Sequence, residues 1–291
     1  MNERNHLFVM KTLGYYNGKI DELDKITVPM LDRACYFGDG VYDVTFCRNY
    51  QVYKLREHVE RIFQSAALLK IFPEITPDAL CDLIRDLVKK LDDDELWVYF
   101  QFSRGTDFRN HAFPENATPN LWIMLRPAKI KDTYRHLRVI TRKDTRALHC
   151  NIKSLNLLPS VMATQACVDA GVDECILHRD GLVTECAHSN VSILKDGTLY
   201  THPANELILA GTGRAHLMEA CRHFDIPVIE RPYTLEELCA ADEVILTSAS
   251  ALCMRIVEVD GAAVGQKASH TLKTLQDYLL ADFMAETAAE V

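Results

Sequence analysis

Two aspartate-glycine pairs, Asp180-Gly181 and Asp196-Gly197, each lie between short runs rich in apolar residues, and they most narrow what this chain can fold into. An Asp-Gly pair accepts the positive φ angles of a tight hairpin turn, so each predicts two antiparallel strands joined by a short reversal. The first joins strands expected over 174–178 and 182–185, and the second joins 191–194 to 198–201. A further strand is expected over 138–141, with helices over 158–170, 214–224, 234–240 and 269–281.

The first half repeats this mixture. Val59, Ile62, Phe63, Ala66 and Leu69 recur at i, i+3, i+4, i+7 and i+10, the apolar stripe of an amphipathic helix over 56–70. His58, Arg61 and Ser65 fall on its opposite face. Thr76-Pro77 marks a second helix start, running to about residue 91, and strands are expected over 40–47, 52–55, 96–103 and 121–126. The segment from Pro127 to Tyr134 is polar, contains proline and follows a strand, as a linker does. The expected fold class is α+β, with a small domain at 1–127, a linker at 128–136 and a larger domain at 137–291. A chain of 291 residues, 48% of them hydrophobic, is long enough for two such cores.

A formal net charge of −9 opposes nucleic acid and anionic membranes as partners and favours small-molecule chemistry. The ten cysteines stand singly with no C-x-x-C pair, so they read as small buried hydrophobes and supply neither a disulfide framework nor a zinc site. The start, MNERNHLFVMK, has too few apolar residues for a signal-peptide core, and no run approaches the roughly 20 of a membrane span. A cytoplasmic protein without a metal is the expectation.

Four features carry chemistry. Lys153 lies in a mostly apolar segment, NIKSLNLL, before a helix. Burial penalises an ammonium and favours the free amine, a nucleophile for carbonyl carbon, but spacing alone does not separate this from a solvated lysine. Glu185 ends a strand; if buried against a protonated ring nitrogen, it would hold that ring in its charged form. The glycine-rich turn Leu209 to Arg214 (LAGTGR) opens a helix whose free N–H groups suit a phosphate, and Arg61 offers a charged fork to the same group. In the loop from Arg104 to Asn116 (RGTDFRNHAFPEN), Arg109 and His111 stand two apart and in extended backbone point the same way, toward one carboxylate. No H-E-x-x-H, G-x-S-x-G, P-loop or complete Rossmann fingerprint occurs.

In this order the features resemble the fold-type IV pyridoxal-phosphate enzymes, and within them the bacterial D-amino-acid aminotransferases. The resemblance spans nearly the whole chain. It is carried by Asp32 to Asp43 (DRACYFGDGVYD), Glu57 to Arg61 (EHVER), the Arg104 to Asn116 loop and Ile152 to Leu158 (IKSLNLL). Glu174 to Arg179 (ECILHR), Thr184-Glu185 with Ser189 to Val191, and Tyr200 to Asn205 (YTHPAN) complete it.

The resemblance implies two α+β domains, each a mixed sheet or barrel with helices, and pyridoxal phosphate at their interface. It implies that Lys153 holds the cofactor as a Schiff base and shuttles the substrate proton, and that Glu185 faces the pyridine nitrogen. Arg61, the Thr212 and Gly213 backbone and Ser248 would bind the phosphate. Leu209 would pack against the ring, with Arg146 near its hydroxyl. Tyr42, Arg109 and His111 would clasp the substrate carboxylate, the last two from the partner subunit of a homodimer. The implied reaction is ping-pong transamination between a D-amino acid such as D-alanine and a 2-oxo acid such as 2-oxoglutarate. An aminodeoxychorismate lyase and a branched-chain L-aminotransferase of the same fold type are the rival readings, and a cofactor-free binding protein on this fold is a third. Three departures stand out: Ala187-His188 where a serine run is usual, the turn GTGR, and Ala249 in place of a hydroxyl.

Overall fold

The computed structural model describes residues 10–289; residues 1–9, with the apolar stretch of the start, and 290–291 lie outside the described residues. The chain forms two compact units, one running to Lys129 and taking back the chain from Glu286, the other Ile130–Ala285.

The first unit opens with the hairpin β1 (Leu13–Tyr16) and β2 (Lys19–Asp21), turned by Asn17-Gly18 with both φ angles positive. Helix α1 (Arg33–Phe37) follows, then β3 (Gly40–Arg48), β4 (Gln51–Val52), helices α2 (Leu55–Leu68) and α3 (Pro77–Val88), β5 (Leu96–Ser103) and β6 (Asn120–Pro127). The six strands form one sheet in the order β2-β1-β6-β5-β3-β4. Alternate residues of β3, β5 and β6, among them Val41, Val98, Phe100, Ile123 and Leu125, are fully buried, as are Val59, Ile62 and Ala66 of α2 and Leu80, Ile84 and Leu87 of α3.

Two expectations for this region are corrected. The strand expected over 52–55 stops at Val52, because Lys54 takes a left-handed φ of 48° and Leu55 opens α2. On α2, burial extends beyond the expected apolar stripe: His58 and Ser65, on the opposite face, are buried too. The reason for His58 is a buried partner, since its Nδ1 lies 2.7 Å from Oδ1 of Asp43.

The second unit contains β7 (Leu137–Lys143), α4 (Leu158–Ala170), β8 (Glu174–Arg179), β9 (Leu182–Cys186), β10 (Asn190–Lys195), β11 (Thr198–Thr201), α5 (Thr212–His223), β12 (Val228–Glu230), α6 (Leu235–Ala240), β13 (Glu243–Thr247), β14 (Met254–Val259), β15 (Ala262–Ala263) and α7 (Ser269–Glu286). Its nine-stranded sheet runs β12-β11-β10-β13-β14-β7-β8-β9, with β15 paired to β14. The two Asp-Gly turns sit where the sequence puts them, at φ 49° and 84° for Asp180-Gly181 and 49° and 72° for Asp196-Gly197.

Period-two alternation gives this sheet two cores. Val191, Ile193, Val244 and Leu246 pack on one face with Leu238 of α6. Leu194 and Ile245 pack on the other with Leu217 and Cys221 of α5 and Leu272 and Leu275 of α7. Residues 130–133, within the expected linker, are fastened to this unit: Lys131 donates its N–H to Ser250 O at 2.7 Å, and Gln276 Nε2 donates to Thr133 O at 2.8 Å. Glu286, the last residue of α7, instead belongs to the first unit, where its Oε1 accepts from the Lys54 N–H at 2.8 Å. The second unit therefore begins at Ile130 and ends at Ala285, where the sequence reading places 137 and 291. All ten cysteines are free thiols; seven are buried, while Cys35 and Cys239 are exposed.

Candidate active site

Lys153 lies in the irregular stretch between β7 and α4, and its side chain is half-buried. Glu185, one residue from the end of β9, is the focus of the second unit's polar groups. Its Oε2 accepts from Asn190 Nδ2 at 2.8 Å and from the Leu209 N–H at 3.1 Å. Its Oε1 accepts from Nη1 of Arg146. Burial pushes the Glu185 carboxyl up to about 7, against the pull of Arg146, the Leu209 amide and the Lys153 charge.

Arg146 is fixed from behind by Asp144, whose side chain is wholly buried. Asp144 takes the Arg146 Nε on Oδ1 at 3.0 Å and Nη2 on Oδ2 at 2.9 Å, and also accepts from Arg179 Nε and Thr184 Oγ1. Arg146 Nη2 further donates to Leu207 O at 3.1 Å. The stretch after Tyr200-Asn205 thus supplies backbone groups to Arg146, Glu185 and Asn190, since Asn190 Nδ2 also reaches Leu209 O at 2.9 Å.

The glycine turn is built for close approach. A Cβ on Gly211 would stand 2.0 Å from Asn190 Oδ1, and one on Gly213 would stand 3.2 Å from the Ser248 N and O. Gly211 caps α5 without a side-chain hydrogen bond, and the first intrahelical bond is Ala215 N–H to Gly211 O at 3.0 Å. The amides of Thr212 and Gly213 therefore belong to the first turn of a twelve-residue helix, and Gly213 lies beside Ser248. Ser248 Oγ accepts from the Ala251 N–H at 3.2 Å and meets Ser250 Oγ at 3.3 Å. Thr247, opposite Asn190 in the β10–β13 register, keeps its hydroxyl buried with no hydrogen-bond partner among the described residues.

In the first unit, Arg61 bonds both oxygens of Asp43, Nε to Oδ2 at 2.8 Å and Nη2 to Oδ1 at 2.7 Å. Tyr42 stacks on Tyr99 with ring centroids 5.5 Å apart. Arg109 and His111 are exposed, and both lie against the ring of Phe37, with the guanidinium carbon 4.9 Å and the imidazole centroid 5.0 Å from its centre.

Their loop is held by the DRACYFGDGVYD motif, which explains that stretch. Arg33 donates through Nη1 to Asn110 O at 2.7 Å, Tyr36 OH donates to Asp107 O at 2.6 Å, and Arg33 and Arg104 share Oδ2 of Asp39. Asn120 Nδ2 joins Asp32 Oδ2 and Thr106 Oγ1, and Gly105 has a positive φ where a Cβ would strike Thr118 O.

Sequence reasoning passed over Asp144, Asn190, Arg179 and Phe37. The Asp-x-Arg spacing from Asp144 to Arg146 was a readable signal for the first. Asn190, Arg179 and Phe37 lay in quoted motifs without a role.

The amino-transferase class IV family model matches residues 40–259. D-alanine aminotransferase of Bacillus licheniformis is 36% identical over 285 residues, covering 97% of this chain and 100% of that protein. The D-alanine aminotransferase of Staphylococcus haemolyticus is 36% identical over 270 residues, covering 90% and 95%. Branched-chain amino acid aminotransferase from Escherichia coli superposes with a TM-score of 0.86 at 22% identity, covering 95% of this chain and 96% of its own. That of Thermobaculum terrenum, in its PLP form, gives 0.81 at 22%, covering 96% and 94%. At such identities the two structures establish the fold alone. Matched by the family model over most of its length and by relatives from end to end, the chain belongs to the class IV aminotransferases.

Proposed function

We propose that this aminotransferase moves the amino group of D-alanine to a 2-oxo acid such as 2-oxoglutarate, using pyridoxal phosphate. The observation that carries the cofactor is Glu185. A carboxylate has about four acceptor positions, and the bonds named above engage three of them from Arg146, Asn190 and Leu209. The fourth suits the N–H of a pyridinium. The glycine cradle at Gly211 and Gly213 and the buried Thr247 hydroxyl beside Ser248 also fit a phosphate-bearing ligand.

When bound, the cofactor supplies an electron sink for the negative charge left at the substrate α-carbon. Glu185 holds the proton at the ring nitrogen. Arg146 orients Glu185 and would meet the cofactor's hydroxyl, and Leu209 would pack against the ring. Thr212 and Gly213 through their N–H groups, Ser248 through its hydroxyl, and Arg61 hold the phosphate. Lys153 is the residue that would hold the cofactor, and its amine, once displaced by the incoming substrate amine, would serve as the tethered base that moves the α-proton.

The D-alanine assignment is supported by 36% identity to D-alanine aminotransferases across the chain. It gives Tyr42, Arg109 and His111 the substrate carboxylate, with the last two acting on the partner subunit of a homodimer. Exposed Met30, Phe108 and Phe113 around that loop support a surface that is covered in the assembly. Ten unpaired cysteines support a reducing compartment, the cytoplasm.

The test is to supply D-alanine with 2-oxoglutarate and measure pyruvate and glutamate. Stoichiometric formation of both is expected. No pyruvate from D-alanine together with turnover of L-leucine would replace this reading with the branched-chain L-aminotransferase.

A further inference from the structure

We propose that Asp144 is a positioning residue for the reaction: it clamps Arg146 so that the guanidinium delivers one N–H to Glu185 and leaves that carboxylate an acceptor position for the cofactor's ring nitrogen. The inference rests on the role given to Glu185 above.

Five donors converge on the two oxygens of Asp144. The Arg146 N–H and Nε–H, both at 3.0 Å, meet Oδ1. Arg146 Nη2 at 2.9 Å, Arg179 Nε at 3.2 Å and Thr184 Oγ1 at 3.1 Å meet Oδ2. The Asp144 N–H donates to His178 O at 2.8 Å, which extends the β7–β8 pairing by one residue and fixes the carboxylate's own backbone. Arg179 closes the arrangement by donating through Nη2 to Arg146 O at 2.8 Å. A planar guanidinium bound along one edge by a rigid carboxylate has no rotation left, so its remaining edge must point where the geometry sends it. That edge meets Glu185.

The charge balance argues the same way. Were Asp144 paired with Arg146 alone, the guanidinium would be neutralised at its near side. Arg179 gives Asp144 a second cation, which leaves more of the Arg146 charge to act on Glu185. Glu185 is faced by Arg146 and Lys153. Behind the arginine stand Asp144 and Arg179, and the half-buried Cys150 thiol is within electrostatic reach of Arg146, Glu185, Asp144 and Arg179.

An asparagine at 144 keeps the size but offers one acceptor oxygen and a donating amide, so the donors now on one oxygen lose their partner and the clamp opens. A freed Arg146 no longer steadies the charged form of Glu185, which then ionises only at higher pH.

The experiment measures binding of added pyridoxal 5'-phosphate to the dialysed full-length protein by its near-visible absorbance, across pH, for wild type, Asp144→Asn, Arg146→Lys, Glu185→Gln and Asp144→Asn/Glu185→Gln. Asp144→Asn is expected to weaken binding about tenfold or more at neutral pH, the range typical of residues that orient a ligating group. The acid limb of the affinity should move upward in pH. Arg146→Lys, which keeps the charge and loses the fork, should do the same. In the Glu185→Gln background, Asp144→Asn should cost little further.

An Asp144→Asn profile superimposed on wild type overturns the proposal, as does an equal cost in the Glu185→Gln background. Should Asp144→Asn not fold, the Arg146→Lys profile decides on the same terms: a shifted limb supports the clamp and an unshifted one overturns it. Failure of the wild type to bind the cofactor overturns the functional reading instead.

Discussion

Arg61 and Asp43 face each other fork to fork, Nε to Oδ2 at 2.8 Å and Nη2 to Oδ1 at 2.7 Å, on a carboxylate that solvent does not reach. His58 shares the same oxygen as Nη2. Burial alone would raise the Asp43 carboxyl, but Arg61 and then His58 outweigh it and hold it well below the usual carboxylate range. A depressed acid contributes stability that is present above its unfolded value, about 4, and is lost as pH falls below it. Asp43→Ala strands a buried guanidinium, which costs about 3–5 kcal/mol for pairs of this kind. Denaturant unfolding should show that loss at pH 7 and a smaller one at pH 3. An equal loss at both would refute the ion-pair account.

Glu185 carries the opposite sign. Its carboxyl is raised by burial to about 7, so the ligand-free protein holds the protonated form more tightly than the unfolded chain does. Its contribution is fully present below about pH 4 and is lost as pH rises through the folded value, by roughly 3 kcal/mol in all. Glu185→Gln should therefore stabilise the ligand-free protein relative to wild type at pH 8 and not at pH 4. The same variant should lower kcat, because a neutral amide does not hold the ring nitrogen's proton. A thermal-melting difference that is flat with pH would contradict the burial argument.

Arg109 and His111 rest on Phe37 and have no ion-pair partner among the described residues. Removing a charge-assisted hydrogen bond to a substrate carboxylate costs about 1.5–3 kcal/mol, or about 10- to 100-fold. Arg109→Ala should raise KM for D-alanine by that factor with kcat nearly unchanged. Mixing refolded Lys153→Ala and Arg109→Ala subunits should recover low-KM turnover, because one site of each hybrid then has both residues. No recovery would mean that the arginine serves its own chain.

Gly213→Ala places a methyl 3.2 Å from the Ser248 N and O, so one backbone must move by a few tenths of an ångström. The expected result is weaker retention of pyridoxal phosphate on dialysis, with kcat preserved at saturating cofactor. Unaltered retention would remove the turn from the phosphate site.

Much of this was legible. Hairpins turned by Asp180-Gly181 and Asp196-Gly197, the α2 stripe and the Thr76 cap are local signals, and local signals suffice where φ preference and periodicity decide. The central strand β13 was not read, because Glu243–Thr247 is buried throughout and shows no alternation to reveal it. The Asn17-Gly18 turn carries the same signal as the other two, but it was not read, so the first hairpin was missed. Lys153 and Glu185 were singled out as candidates through the order of motifs. Asp144 was not, because its role lies in a contact with Arg146 and Arg179 that spans three segments. His58 was placed on the face opposite the apolar stripe, and its burial was missed for the same reason: periodicity does not show that Asp43 waits beneath it.

The central claim is that Lys153 carries the cofactor. The most direct measurement is borohydride reduction of the cofactor-loaded protein, followed by digestion and mass analysis of the peptides. The account predicts one pyridoxyl group per chain, on Lys153, and none on Lys153→Ala. A label on another lysine, or none on the wild type, would contradict it.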